Sequence, residues 1–98
     1  MNRKEELLVI MQEECAEVTQ AISKIFRFGE ESYHPKDRKK ITNSTHLETE
    51  IGDIMGVLKL LIEEGHINGD KIMKAAEDKV KKLDKFMANK NENKNTSR

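Results

Sequence analysis

Two acidic clusters interrupt stretches that otherwise read as amphipathic helices: Glu13-Glu14-Cys15-Ala16-Glu17 and Glu50-Ile51-Gly52-Asp53. Glu14 and Glu17 are three residues apart, as are Glu50 and Asp53. Side chains at that spacing share a helix face, with roughly 5–6 Å between Cβ atoms. Carboxylates so placed repel one another, and more strongly as water is excluded. A chain that twice puts paired carboxylates on the inward side of a helix needs a counter-charge. A divalent metal ion is the simplest candidate.

The inward assignment follows from periodicity. From about Lys4 to Phe28 the apolar residues Leu7, Ile10, Met11, Val18, Ala21, Ile22, Ile25 and Phe28 recur with the helical period. Glu14 and Glu17 fall where that stripe should continue. Gly29 is a natural stop. The loop over residues 29–42 holds the only proline, Pro35, and the basic run Lys36 to Lys40. Connections of that length in a compact domain are often binding loops or lids.

Asn43, Ser44 and Thr45 are all suitable N-caps, and Thr45 with Glu48 predicts a capping box opening a second helix that runs to about Glu64. Its distal half, Ile54 to Ile62, is apolar nearly all round and needs cover on most sides. Two other short helices from one chain can hardly supply it, which predicts a homo-oligomer. Gly65 and Asn68-Gly69 mark the next turn. A third helix is expected from about Asp70 to Met87, with Ile72, Ala76, Val80, Leu83 and Met87 inward. The reading is therefore an all-α, three-helix protomer over residues 1–88 that builds a helical-bundle oligomer. Residues 89–98 are expected to form a disordered polar tail.

Composition narrows the function. Of 98 residues, 36% are hydrophobic and 37% charged, so a lone domain buries a modest core. Lys+Arg and Asp+Glu both number 18, and the zero formal net charge argues against a nucleic-acid polymer as partner. Cys15 is the only cysteine, which excludes an internal disulfide and favours a cytoplasmic setting. It reads as a small buried hydrophobe. No apolar run approaches the ~20 residues of a membrane span, and the N-terminus has no signal-peptide core.

Four carboxylates from two antiparallel helices can converge in a bundle. Oxygen ligands without cysteine or histidine favour Mg²⁺, with Mn²⁺ as an alternative. Helical di-iron sites pair Glu with Glu-x-x-His, whereas the second cluster here is Glu50-x-x-Asp53. His46, one turn before Glu50, keeps iron as a minor option. A Mg²⁺ site of this kind keeps positions open for water and phosphate oxygens, which points to metal-assisted attack of water on a phosphoanhydride.

The pattern Glu13-Glu14-x-x-Glu17 followed by Glu50-x-x-Asp53 resembles the signature of the MazG-like all-alpha nucleoside triphosphate pyrophosphohydrolases. The runs Glu13–Gly29 and His46–Gly65 are similar to the first and second helices of small bacterial and phage members. Lys79, Lys82, Lys85 and Phe86 resemble their basic third helix. The resemblance covers roughly Leu7 to Met87. It implies cleavage of a ribo- or deoxyribonucleoside triphosphate to monophosphate and pyrophosphate, in a homodimer or homotetramer whose helices complete the active sites. It further implies Glu14, Glu17, Glu50 and Asp53 as Mg²⁺ ligands. Glu13, less inward, either supports the ligands from behind or positions the attacking water. Lys24, Arg27, Lys79 and Lys82 are the candidates for the phosphates, and Phe28 and Tyr33 could stack on a base. The rival readings are a non-catalytic helical module that binds a partner through the second helix, and a nucleotide-binding regulator with weak turnover.

Overall fold

The computed structural model describes the backbone of residues 1–96 and the side chains of residues 1–88. It contains three helices: α1 (Arg3–Phe28), α2 (Asn43–Glu63) and α3 (Gly69–Thr96). No strand occurs among the described residues, so the protein is all-α. It divides into two compact units, one carrying α1 and α2 (Met1–His66) and one carrying α3.

The first unit is an antiparallel helical hairpin. Asn2 caps α1: its side chain accepts from the Glu5 N–H at 2.8 Å, and the Glu5 carboxylate accepts from the Asn2 N–H at 3.3 Å. This reciprocal pair satisfies two donors that a helix start otherwise leaves unmet. At the other end Gly29 adopts φ 97°, a conformation open to glycine at little steric cost, and the helix stops there. The two ends of the hairpin are tied separately. Arg3 donates to Glu64 through Nη2 (2.9 Å) and Nε (3.0 Å), and Asn43 donates through Nδ2 to the Gly29 carbonyl (3.0 Å).

Along α1 the buried and half-buried positions are Leu7, Met11, Glu14, Val18, Ala21 and Ile25; along α2 they include Asn43, Leu47, Glu50, Ile54, Val57 and Leu61. Both sets alternate steps of four and three, the spacing of a helix seam that faces another helix. The seam is narrower than the sequence reading supposed. Ile10 and Ile22 are 40% exposed and Phe28 57%, because a single facing helix covers only one side of α1. Leu7, Ala21 and Leu61 are the only buried apolar side chains among the described residues. Met55 and Ile51 on α2 also face outward, while Ile54, Val57, Leu58 and Leu61 turn toward the seam.

The capping box expected at Thr45 and Glu48 does not form. The helix starts three residues earlier, with Thr42 as N-cap, and the Thr42 hydroxyl accepts the Thr45 N–H at 3.2 Å. With that donor taken upstream, Thr45 lies inside the first turn.

The loop between α1 and α2 is highly organised. The Asn43 N–H donates to the Ser32 carbonyl (2.8 Å) and the Ser44 N–H to that of Glu30 (2.9 Å), so loop carbonyls satisfy two first-turn donors of α2. Further along, the Asp37 carboxylate accepts from the Lys39 and Ile41 N–H groups at 3.0 and 2.9 Å. Those bonds hold its carboxyl below the usual carboxylate range.

In the second unit, Asn68 caps α3 by accepting the Lys71 N–H at 3.0 Å, and Lys74 pairs with Asp78 at 2.9 Å. Of the stripe expected inward, Ile72 is half-buried, while Ala76, Val80, Leu83 and Met87 are exposed. The polar tail expected at 89–98 falls where side chains, and beyond Thr96 the backbone, lie outside the described residues.

Candidate functional site

Halfway along the hairpin the seam loses its apolar character. Glu14 of α1 meets Glu50 and Asp53 of α2, with one carboxylate oxygen from each lying within 4.8 Å of the others. Glu14 and Glu50 are half-buried seam residues, and Asp53 is exposed at the edge. Glu14 Oε2 is sealed from solvent and accepts no hydrogen bond. Burial foremost, and then the negative charges of Asp53 and Glu50, push the Glu14 carboxyl above its ordinary range.

Such an arrangement calls for a proton or a cation. The donor set is all carboxylate, with no thiolate in the cluster, which suits a hard divalent ion. The unmet oxygen of Glu14 supplies a ligand atom already stripped of water. The residues present therefore fit a divalent metal.

Not every carboxylate singled out in the sequence joins this cluster. Glu17 is exposed and stands apart from the trio. Three residues carry it 300° around α1, or 60° off the Glu14 direction, which moves it from the seam to its flank. There it lines a cleft of about 180 Å³ together with Gln20, Lys24, His46 and Glu50. Its charge still reaches Glu14 and contributes to the raised pKa. Glu13 is exposed and outside the cluster. Cys15, expected to be buried, is also exposed, since one residue past Glu14 turns it 100° out of the seam.

Lys24 lines the acidic cleft and also a neighbouring cavity of about 350 Å³ at the corner where the loop joins the hairpin. Arg27 does not line the cleft; its guanidinium lies over the Phe28 ring, 4.9 Å from the centroid. Lys79 and Lys82 are exposed on α3, in the other unit. His46, which the sequence reading treated only as an iron option, lines both the cleft and the cavity. Its signal was available: four residues before Glu50 is one helical turn on the same face.

A helical hairpin directs three carboxylates at one another from facing helices, beside a cleft edged by a lysine, and so defines an all-α protein with a carboxylate cluster that could hold a cation. The chain matches the family model of the MazG nucleotide pyrophosphohydrolase domain over residues 2–87, and it belongs to that family. Comparison with curated proteins and with solved structures returns no match. No helix among the described residues is long and apolar enough to cross a membrane.

Proposed function

We propose that the protein is a Mg²⁺-dependent pyrophosphohydrolase that cleaves ribo- or deoxyribonucleoside triphosphates to the monophosphate and pyrophosphate. The observation that carries this reading is the convergence of Glu14, Glu50 and Asp53 with one Glu14 oxygen buried and unpartnered. Family membership supplies the reaction class. Water cleaves the phosphoanhydride between the α- and β-phosphates, and one proton is released to a carboxylate or to solvent.

In this reading Glu14, Glu50 and Asp53 hold the metal. Glu17, exposed on the cleft wall, is assigned as the fourth ligand. A Mg²⁺ ion held by these residues would offset phosphate charge and polarise the phosphorus centre. Mn²⁺ has the same oxygen preference and is the expected substitute. Glu13 is assigned to orienting the attacking water, and Lys24 to the phosphates, where its ammonium offsets negative charge beside the carboxylates. Arg27, whose guanidinium lies over the Phe28 ring, is likewise assigned to the phosphates. Lys79 and Lys82 are assigned to the phosphates of a site completed by another subunit.

Oligomerisation belongs to the same proposal. Three buried apolar side chains among the described residues are a small core, and Met55, Ile51 and Leu60 present apolar surface on α2. A homodimer or homotetramer that covers this face would supply the missing burial.

The test is a panel of ribo- and deoxyribonucleoside triphosphates incubated with Mg²⁺, with monophosphate and pyrophosphate quantified. Glu50→Gln and Asp53→Asn are expected to lose at least 100-fold in turnover, on the order seen when a transition-state charge partner is removed. Release of orthophosphate and diphosphate would reassign the bond cleaved. Full activity in both variants would remove the proposed site.

A further inference from the structure

We infer that Arg3 and Glu64 are positioning residues for the carboxylate cluster: their ion pair fixes the register of α1 against α2 that brings Asp53 to Glu14. The consequence for metal binding rests on the cation reading of the cluster; the register does not. Three observations carry the inference.

The first is spacing. Arg3 and Glu14 are eleven residues apart on α1, and Asp53 and Glu64 are eleven apart along α2 and its C-cap. Eleven residues make three helical turns plus about 20°, so each helix carries its two residues on one face, roughly 16 Å apart. In an antiparallel hairpin Arg3–Glu64 and Glu14–Asp53 are then two rungs of one ladder. A slip of one turn that carried Asp53 away from Glu14 would also break the Arg3–Glu64 bonds.

The second is how little else sets the register. Leu7 and Leu61, one turn inside Arg3 and Glu64, are buried, but between them and Ala21 the seam side chains of α1 are only half-buried. Apolar contact is non-directional, and Glu14, Glu50 and Asp53 repel one another. At the other end the Asn43 bond reaches Gly29, past the last residue of α1.

The third is the form of the pair. Arg3 donates through Nη2 to Glu64 Oε2 at 2.9 Å and through Nε to Oε1 at 3.0 Å, and such two-pronged pairing is directional. His66 Nε2 lies 3.3 Å from the same Oε1 and braces the carboxylate from the turn. The Arg3 hydrogen bond foremost, with His66 adding to it, holds the Glu64 carboxyl below its usual range. Both residues stand where the helix dipole disfavours their charge, since Arg3 opens α1 and Glu64 closes α2. Helix stability does not account for that placement; the contact between them does.

The test compares Arg3→Gln, Glu64→Gln and the charge exchange Arg3→Glu with Glu64→Arg, which puts each charge at the helix end that favours it. Two quantities are read on the full chain: Mg²⁺ affinity by calorimetry and, in chelator, the interhelical NOEs around Glu14 and Asp53. Each single substitution should weaken Mg²⁺ binding roughly threefold to tenfold, the scale of coupling between separated sites. Each should also weaken the NOEs while leaving helix content by circular dichroism unchanged, because exposed ion pairs contribute little to stability. The charge exchange should restore most of both. A lowered Tm with Mg²⁺ affinity and NOEs unaltered would reduce the pair to a structural tie and overturn the assignment. An exchange variant that stays helical yet restores neither quantity would overturn it too. The NOEs need neither metal nor turnover, so they decide the register even if the proposed metal site fails.

Discussion

Glu14 and Glu50 face each other across the α1–α2 seam, each at a position where the four-three spacing otherwise places an apolar side chain. Two carboxylates in a packed seam oppose folding unless they are neutralised. The protein gives up part of a small core to hold them, and this makes its stability depend on what occupies the site.

Metal should therefore act as a stabilising ligand. At 100 times its dissociation constant an ion that binds only the folded state adds about 2.7 kcal/mol. For a chain of this length that corresponds to a rise in Tm of roughly 10 °C or more. A Mg²⁺ series followed by thermal melting should show the rise in the unaltered protein and lose most of it in Asp53→Asn. An equal rise in both would place the ion elsewhere.

Without metal the sign reverses. Burial and the facing charges raise the Glu14 carboxyl, so the folded state holds its proton more tightly than the unfolded state does. That stabilisation is complete at low pH and is lost as pH rises from the ordinary carboxylate value through the raised one. Glu14→Gln removes this slope. In chelator at neutral pH the variant should melt higher than the unaltered protein; a lower Tm would mean that the carboxylate is stabilised by something other than a proton or cation.

Asp37 behaves in the opposite way. Its carboxyl is lowered by the Ile41 and Lys39 N–H bonds, so its contribution is present above the ordinary carboxylate value and lost as pH falls through the lowered one. Asp37→Ala should speed hydrogen exchange at Lys39 and Ile41 while leaving the seam amides of α1 protected. Unchanged exchange at those two positions would show that other contacts hold the loop.

Leu61 is the most deeply buried apolar side chain among the described residues, 1% exposed. Leu61→Ala should cost about 3 kcal/mol and lower Tm by roughly 10–20 °C. Met55, 58% exposed, makes the contrasting test. Met55→Asp should leave the hairpin helical by circular dichroism but shift the mass by light scattering toward the monomer. A variant that keeps the parent's oligomeric mass would move the interface off this face.

The helices were legible because their evidence is local. Gly29 after Phe28, the polar residues before Leu47 and the apolar periodicity each act over a few residues, and they marked α1, α2 and the start of α3 to within a few positions; the backbone of α3 continues nine residues past the expected Met87, to Thr96, where no apolar stripe marks it. The α1 cap, Asn2 with Glu5, was not singled out in the sequence and emerged only with the structure. The α2 start was misjudged because Thr42, Asn43, Ser44 and Thr45 are all competent caps, and the winner is set by the loop carbonyls of Glu30 and Ser32 that meet the first turn. The loop's internal order was not legible: the Asp37 bonds depend on backbone directions that residue types leave open.

The acidic clusters on two helix stripes, and through them an all-α fold and a need for counter-charge, followed from the sequence alone, because helical periodicity fixes the angle of each residue about its own axis. Which carboxylates meet was decided by tertiary structure. The rotation of α1 against α2 places Glu14 with Glu50 and Asp53, and turns Glu17 to the flank beside Lys24 and His46. An angle about one helix axis carries no information on the neighbour it faces. Only packing brings the second helix in, and with it the sealed oxygen of Glu14 on which the candidate site rests.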